Sequence, residues 1–151
     1  VIGTINGEGN WQHLALSGWN PNISYFTPIS VTQLQPIAGE KMPSSTDIYF
    51  WGIPGNEKNI LQDGSVAPSQ GQPPSFFFVT RNNSKWVLLL QGFFRYNAET
   101  GLYANAGNYA LGLTYDQLMQ RIALFPHGTN CSTVTPSDAG FWTPDGGIAA
   151  N

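Results

Sequence analysis

What most limits the folds open to this chain is the length of its apolar runs. "DIYFWGI", "SFFFVT", "KWVLLLQ", "FFRYN" and "NYALGL" are all short, and clusters of Gly, Pro and Asn stand between them. Runs of this length, rich in aromatic and β-branched residues and punctuated about every eight to twelve residues, predict an all-β fold, an antiparallel sandwich or barrel. "WQHLALSGW" adds an alternating stretch with Leu14 and Leu16 on one face, and "ISYFTPISVTQLQ" carries two β-branched stretches broken by Pro28. With 151 residues and no tandem repeat, the chain suits a single domain, 1–151, around one core. The irregular piece 62–74, "QDGSVAPSQGQPP", reads as a surface loop.

One segment carries a different period. In "TYDQLMQRIALF", Thr114 with Gln117 three residues later has the pattern of a capping box, and Tyr115, Leu118, Met119, Ile122 and Phe125 share one helical face. The run into Pro126 also suits a strand, and periodicity alone favours the helix. A second short helix can start at Pro136-Ser137-Asp138.

Charge and chemistry exclude several functions. Six basic residues against nine acidic give a net charge of −3, and Lys41, Lys58, Arg81, Lys85, Arg95 and Arg121 are scattered. Nucleic-acid binding needs clustered Lys and Arg. No run reaches the length of a membrane span, so neither nucleic acid nor membrane is an expected partner. The N-terminus lacks a signal peptide's basic start and apolar run, and reads as a trimmed domain boundary. Cys131 is the single cysteine, so no internal disulfide forms. The sequons at Asn22, Asn82 and Asn130 read as incidental in a chain rich in Asn and Ser.

The familiar catalytic and nucleotide motifs are missing. His13 and His127 have no evident partners for a metal, and His127 with Cys131 reads as loop sequence rather than a catalytic dyad. Among the acids, Glu8, Glu40, Glu57, Asp63, Asp138 and Asp145 lie in loop-like sequence, Glu99 in a hairpin turn, and only Asp47 and Asp116 border apolar elements. Paired carboxylates that cleave glycosides must share one cleft. The expected function is therefore not enzymatic, with no cofactor and no metal.

Binding fits better. "RYNAETGLYANAGNYALG", 95–112, sets Arg95, Tyr96, Asn97, Glu99, Tyr103, Asn105, Asn108 and Tyr109 along a hairpin. Exposed aromatics cover the C–H face of a sugar while amides and Arg meet its hydroxyls. The same residues also serve a hairpin structurally, as cross-strand Tyr pairs and Asn/Gly turns. Trp51 and Trp86 adjoin apolar strands and are expected in the core, with Trp11 at least half buried. Trp19 precedes a turn, and Trp142 is placed to pin the C-terminal tail.

In order, these pieces resemble the rotavirus spike head, the glycan-binding N-terminal tryptic fragment of the outer-capsid spike protein. "GTINGEGNW" is similar to that family's glycine-threonine turn before a strand-opening tryptophan, and "NPNIS" to the turn that closes the strand. "DIYFWG" is similar to its aromatic strand, and "WVLLLQGFFRYNAETG" to its late hairpin. "LYANAGNY" resembles its tyrosine-rich stretch, and "IALFP" before Cys131 its last strand and cysteine. The compact middle of the chain points to a distant group, such as B.

The resemblance implies a galectin-like sandwich of two antiparallel sheets on the virion surface, joined to the remainder of the spike protein and attaching to host-cell-surface glycans. Family glycan contacts include a tyrosine pair followed by serine, where this chain has Leu102, Tyr103 and Ala104. Sialic-acid-binding members carry an arginine directly before the strand-opening Trp11, where this chain has Asn10, which cannot fork a carboxylate. The implied ligand is a neutral galactose- or N-acetyllactosamine-type glycan. Tyr103 is the implied stacking ring, Asn105, Asn97 and Arg95 the implied hydrogen-bonding groups, and Asn10 and Trp11 their neighbours. The family also implies strand where periodicity favours helix. The expectation is one helical turn at most over Thr114–Leu118, strand beyond it, and a short terminal helix near 136–142. The alternative function is a protein-interaction module that meets a proteinaceous receptor or a neighbouring capsid subunit.

Overall fold

The computed structural model describes residues 1–16, 25–56, 68, 71–105 and 112–123. Seven strands and one helix make up its elements: β1 (Ile2–Glu8), β2 (Gln12–His13), β3 (Tyr25–Gln35), β4 (Ser45–Trp51), β5 (Ser75–Asn82), β6 (Lys85–Asn97), β7 (Leu102–Asn105) and α1 (Tyr115–Ala123). The all-β expectation is met, with one short helix.

The described strands form one mixed sheet rather than two stacked ones. It runs β1-β5-β6-β4-β3-β2, with β7 on β6, and β1 also pairs with β3. The pairings β1–β3, β3–β4, β4–β6, β6–β5 and β5–β1 therefore trace a ring of five strands. Only β4–β6 is parallel among them, with Ile48 beside Trp86. Counting ring strands alone, the order is 1-2-3-5-4. A galectin-like sandwich needs a second sheet, and continuous hydrogen bonding around the ring leaves none among the described residues.

Side-chain alternation explains the ring's filling. Ile5, Ile29, Val31, Ile48, Phe50, Phe77, Trp86, Leu88 and Phe93 belong to one buried cluster in its interior. There Phe77 stacks on Phe93 with centroids 5.3 Å apart, and Phe50 meets Phe93 at 5.4 Å. "SFFFV" is continuously apolar because β5 is covered on both faces. Phe77 points into the ring, whereas Phe76 joins Ile2, Phe94, Tyr103, Leu113 and Leu118 in a second cluster outside it. Trp86 is buried as expected, and Trp51 is half-buried.

Two strand expectations change. β3 runs unbroken through Pro28, which pairs with Tyr49 and needs no N–H there. The strand expected over "WQHLALSGW" shrinks to Gln12–His13 among its described residues. Trp19 and the sequons at Asn22 and Asn130 lie outside the described residues, as do Tyr109, Trp142 and the terminal helix near 136–142.

The helix corrects the resemblance. Residues 115–123 are helical throughout, so the strand expected after Leu118 is absent from 119–123. The capping box is formed: Gln117 N donates to Thr114 Oγ1 at 3.2 Å, and Thr114 N donates to Gln117 Oε1 at 2.9 Å. Asp116 in the first turn and Arg121 in the last complement the helix dipole. Leu118, Met119 and Ile122 close over the outer cluster. Local chemistry and the apolar face decided this segment.

Candidate functional site

The structure separates the residues expected to bind a glycan into two places. Arg95, Asn97, Leu102, Tyr103, Ala104 and Asn105 lie on the β6–β7 hairpin, where Tyr96 pairs with Tyr103, Arg95 with Ala104 and Asn97 with Leu102. Asn10 and Trp11 lie beyond β1, next to the β2–β3 pair. β7 hangs from β6 and β2 from β3, strands that are not neighbours in the ring.

The hairpin serves the fold. Tyr103 retains 4% of its exposure, with Phe76 edge-on at 5.0 Å and Tyr96 at 5.5 Å. Its backbone exchanges two hydrogen bonds with Leu113: Tyr103 N donates to Leu113 O at 2.7 Å and Leu113 N donates to Tyr103 O at 2.8 Å. Burial, and next the neighbouring Tyr115 and Tyr96 phenols, push the Tyr103 phenol above its ordinary pKa. A ring covered in this way offers no face to a sugar, so the stacking role expected of Tyr103 is corrected to core packing. Asn97 is exposed, but its Oδ1 accepts from Glu99 N at 2.8 Å and Thr100 N at 3.4 Å, the Asx-turn arrangement. Arg95 reaches the Pro68 carbonyl at 3.5 Å, and Leu102, Ala104 and Asn105 are half-buried.

The other place is built around the exit from β1. Trp11 is 47% exposed and His13 is exposed. Residues two apart on an extended segment point the same way, and the β2–β3 register sets His13 opposite Tyr25. The three rings form one cluster: His13–Tyr25 at 4.3 Å, Trp11–Tyr25 at 5.6 Å and Trp11–His13 at 5.7 Å, the last two edge-on. T-shaped contacts of this kind brace the three rings against one another while about half of the indole stays exposed. The end of β3 beneath is fixed by Gly52, whose N–H donates to Tyr25 O at 2.8 Å and whose carbonyl accepts from the buried Thr27 hydroxyl at 2.8 Å. Gly52 has φ of 105°, a conformation that favours glycine.

Two residues before Trp11 begins a groove of about 320 Å³, lined by the Asn6–Gly9 segment, Pro28, Ser30 and Asp47. Gly7 pairs with Ser30 and Ser30 with Asp47, so these three form a row across β1, β3 and β4. Ile29, Val31 and Ile48 point inward, so Ser30 and Asp47 belong to the outer face. Gly9 is pinned by its N–H donating to Pro28 O at 2.8 Å, and a Cβ there would stand 2.9 Å from Pro28 Cγ. At Gly7 a Cβ would meet no atom within 4 Å. Glu8 and Asp47 are exposed carboxylates, Asn6 is an exposed amide, and no lining residue is basic.

Sequence reasoning found Asn10 and Trp11 here, but missed Asn6, Glu8, Ser30 and Asp47, and with them His13 and Tyr25 as partners of Trp11. The signal for the aromatic cluster lay in the i, i+2 spacing of Trp11 and His13. None marked the groove, whose residues come from three strands. Among the described residues no group of three His, Cys, Asp or Glu is placed to hold a metal ion. No described helix is long and apolar enough to cross a membrane. No protein-family model, curated protein or solved structure matches this chain.

Proposed function

We propose that this domain is an attachment lectin on a rotavirus-like virion spike, holding neutral galactose- or N-acetyllactosamine-type glycans of the host-cell surface. The observation that carries the reading is Trp11, an indole left 47% exposed and braced edge-on by His13 and Tyr25. A rigid indole open to water suits the C–H face of a pyranose. Separately, the groove on the outer face of β1, β3 and β4 offers amide, hydroxyl and carboxylate acceptors for hydroxyl groups. Its two acids and lack of a cation disfavour a sialic-acid carboxylate, in agreement with Asn10. Acidic lining also disfavours a phosphate chain. Weak single-site binding becomes attachment through many copies per particle.

The test is a glycan array probed with the multivalently displayed domain and its Trp11→Ala variant. Selective binding to neutral galactosylated glycans, reduced at least tenfold by the substitution, is the expected result. Preference for sialylated glycans would overturn the neutral-ligand assignment, and silence from folded protein would point to a proteinaceous receptor.

A further inference from the structure

We infer that Asn6 is a site of spontaneous deamidation in the folded domain, a slow modification that gives the outer-face groove a new carboxylate in place of its amide. The inference does not rest on the lectin reading. Asn6-Gly7 is the single Asn-Gly pair in the chain. Deamidation needs the backbone nitrogen that follows an asparagine to reach that asparagine's side-chain carbonyl carbon. Glycine, without a Cβ, obstructs the approach least.

Strand geometry keeps this pair reactive. β1 and β3 pair Ile5 with Val31 and Gly7 with Ser30, so Asn6 is the extra residue of a β-bulge, released from the ladder that holds its neighbours. Asn6 is exposed, and among the described residues no hydrogen bond restrains its amide. A Cβ at Gly7 would meet nothing within 4 Å, so a ring joining the two residues has space to form. Two other described asparagines are held: Asn97 Oδ1 accepts from Glu99 N at 2.8 Å, and Asn83 Nδ2 donates to Ala15 O at 3.5 Å.

In the reaction Gly7 N gives up its proton and attacks Asn6 Cγ. The new C–N bond closes a succinimide while the Cγ–Nδ2 bond breaks and Nδ2 leaves as ammonia. Water then opens the ring at either carbonyl, giving aspartate or isoaspartate. Because Gly7 pairs with Ser30, attack occurs during brief openings of the bulge, which makes the step slow. Either product sets a new charge beside Glu8 and Asp47 in the groove. Isoaspartate also adds a backbone carbon to residue 6, which puts the Gly7–Ser30 and Glu8–Ile29 pairs out of step.

The test is peptide mapping by mass spectrometry of the whole domain aged at mildly alkaline pH, folded and, in parallel, unfolded in guanidinium chloride. Enzymatic methylation scores isoaspartate, and isoelectric focusing scores the added charge. Gly7→Ala is the first variant, with thermal unfolding as its folding control, and Asn6→Gln is the second. In the folded wild type Asn6 should convert faster than Asn10, Asn83 and Asn97, within about tenfold of its rate in the unfolded chain. Gly7→Ala should slow it by about tenfold or more, and Asn6→Gln should abolish the acidic shift. An intact Asn6 in the folded domain, under conditions that convert the unfolded chain, would overturn the inference. So would an unchanged rate in Gly7→Ala or an unchanged acidic shift in Asn6→Gln.

Discussion

Replacing Tyr103 by alanine tests whether the tyrosine-rich hairpin exists for recognition or for packing. The ring retains 4% of its exposure and stands edge-on to Phe76 at 5.0 Å and Tyr96 at 5.5 Å, under the helix residue Leu118 of the same cluster. Truncating a buried aromatic side chain to alanine costs about 3–5 kcal/mol, lost transfer energy and the cavity included. The hydrogen bonds with Leu113 are backbone ones and survive the change, which places the expected cost near the lower end, about 3–4 kcal/mol. With a urea slope of about 2 kcal/mol per molar, the unfolding midpoint should fall by about 1.5–2 M. Tyr103→Phe keeps the ring, should stay within about 1 kcal/mol of wild type, and should bind glycans as the wild type does. A midpoint for Tyr103→Ala within about 0.25 M of wild type would refute the packing argument and return the ring to the surface.

Thr114→Ala removes the acceptor for Gln117 N and should cost about 1 kcal/mol, lowering Tm by about 2–4 °C in calorimetry. Gly3→Ala and Gly7→Ala form a matched pair on β1. A Cβ at Gly3 would stand 2.6 Å from Val31 Cγ1 and 2.8 Å from Leu34 Cδ2, whereas one at Gly7 meets nothing within 4 Å. Chemical denaturation should show a loss of about 1–3 kcal/mol for the first and less than about 0.5 kcal/mol for the second. The Tyr103 phenol, raised by burial and by Tyr115 and Tyr96, keeps its proton in the folded state after the unfolded chain has lost it. The folded state then binds more protons, so stability is full below the ordinary phenol pKa and falls as pH rises through the higher folded value. Tyr103→Phe should flatten this alkaline limb in pH-dependent urea titrations. Ser75 Oγ is buried without a hydrogen-bond partner, so Ser75→Ala should leave stability unchanged or raise it by about 1–2 kcal/mol in the same assay.

Much of the architecture was legible because the strands advertise themselves locally. "SFFFVT" and "KWVLLLQ" contain strand residues of β5 and β6, and Asn83 and Ser84, with φ of 47° and 66°, form the tight turn between them. The helix was legible too, from Thr114, Gln117 and the spacing of Leu118, Met119 and Ile122, although the run into Pro126 and the family resemblance both argued for strand. The ring itself was not legible, because its parallel closure pairs Ile48 with Trp86 across a long stretch of sequence. No local pattern specifies such a pairing. The site was half legible for the same reason. Trp11 shows in sequence as an aromatic opening a strand, but Glu8, Ser30 and Asp47 meet only through the registers of three strands. Tyr103 misled because a tyrosine facing a helix and one facing solvent look alike until the helix is placed.

The parallel β4–β6 pairing also bears on the order of events during synthesis. β1, β3 and β4 leave the ribosome before β6, and their antiparallel pairings with one another need no residue of β6. The groove and the footing of Trp11 belong wholly to that early set. Ring closure waits for β5 and β6, and it meets the early set at its two edges, β1 through β5 and β4 through β6. Destabilising changes in β6 should therefore delay closure and expose Phe77 and Phe93 in the nascent chain, while the spacing between Gly7, Ser30 and Asp47 is already set.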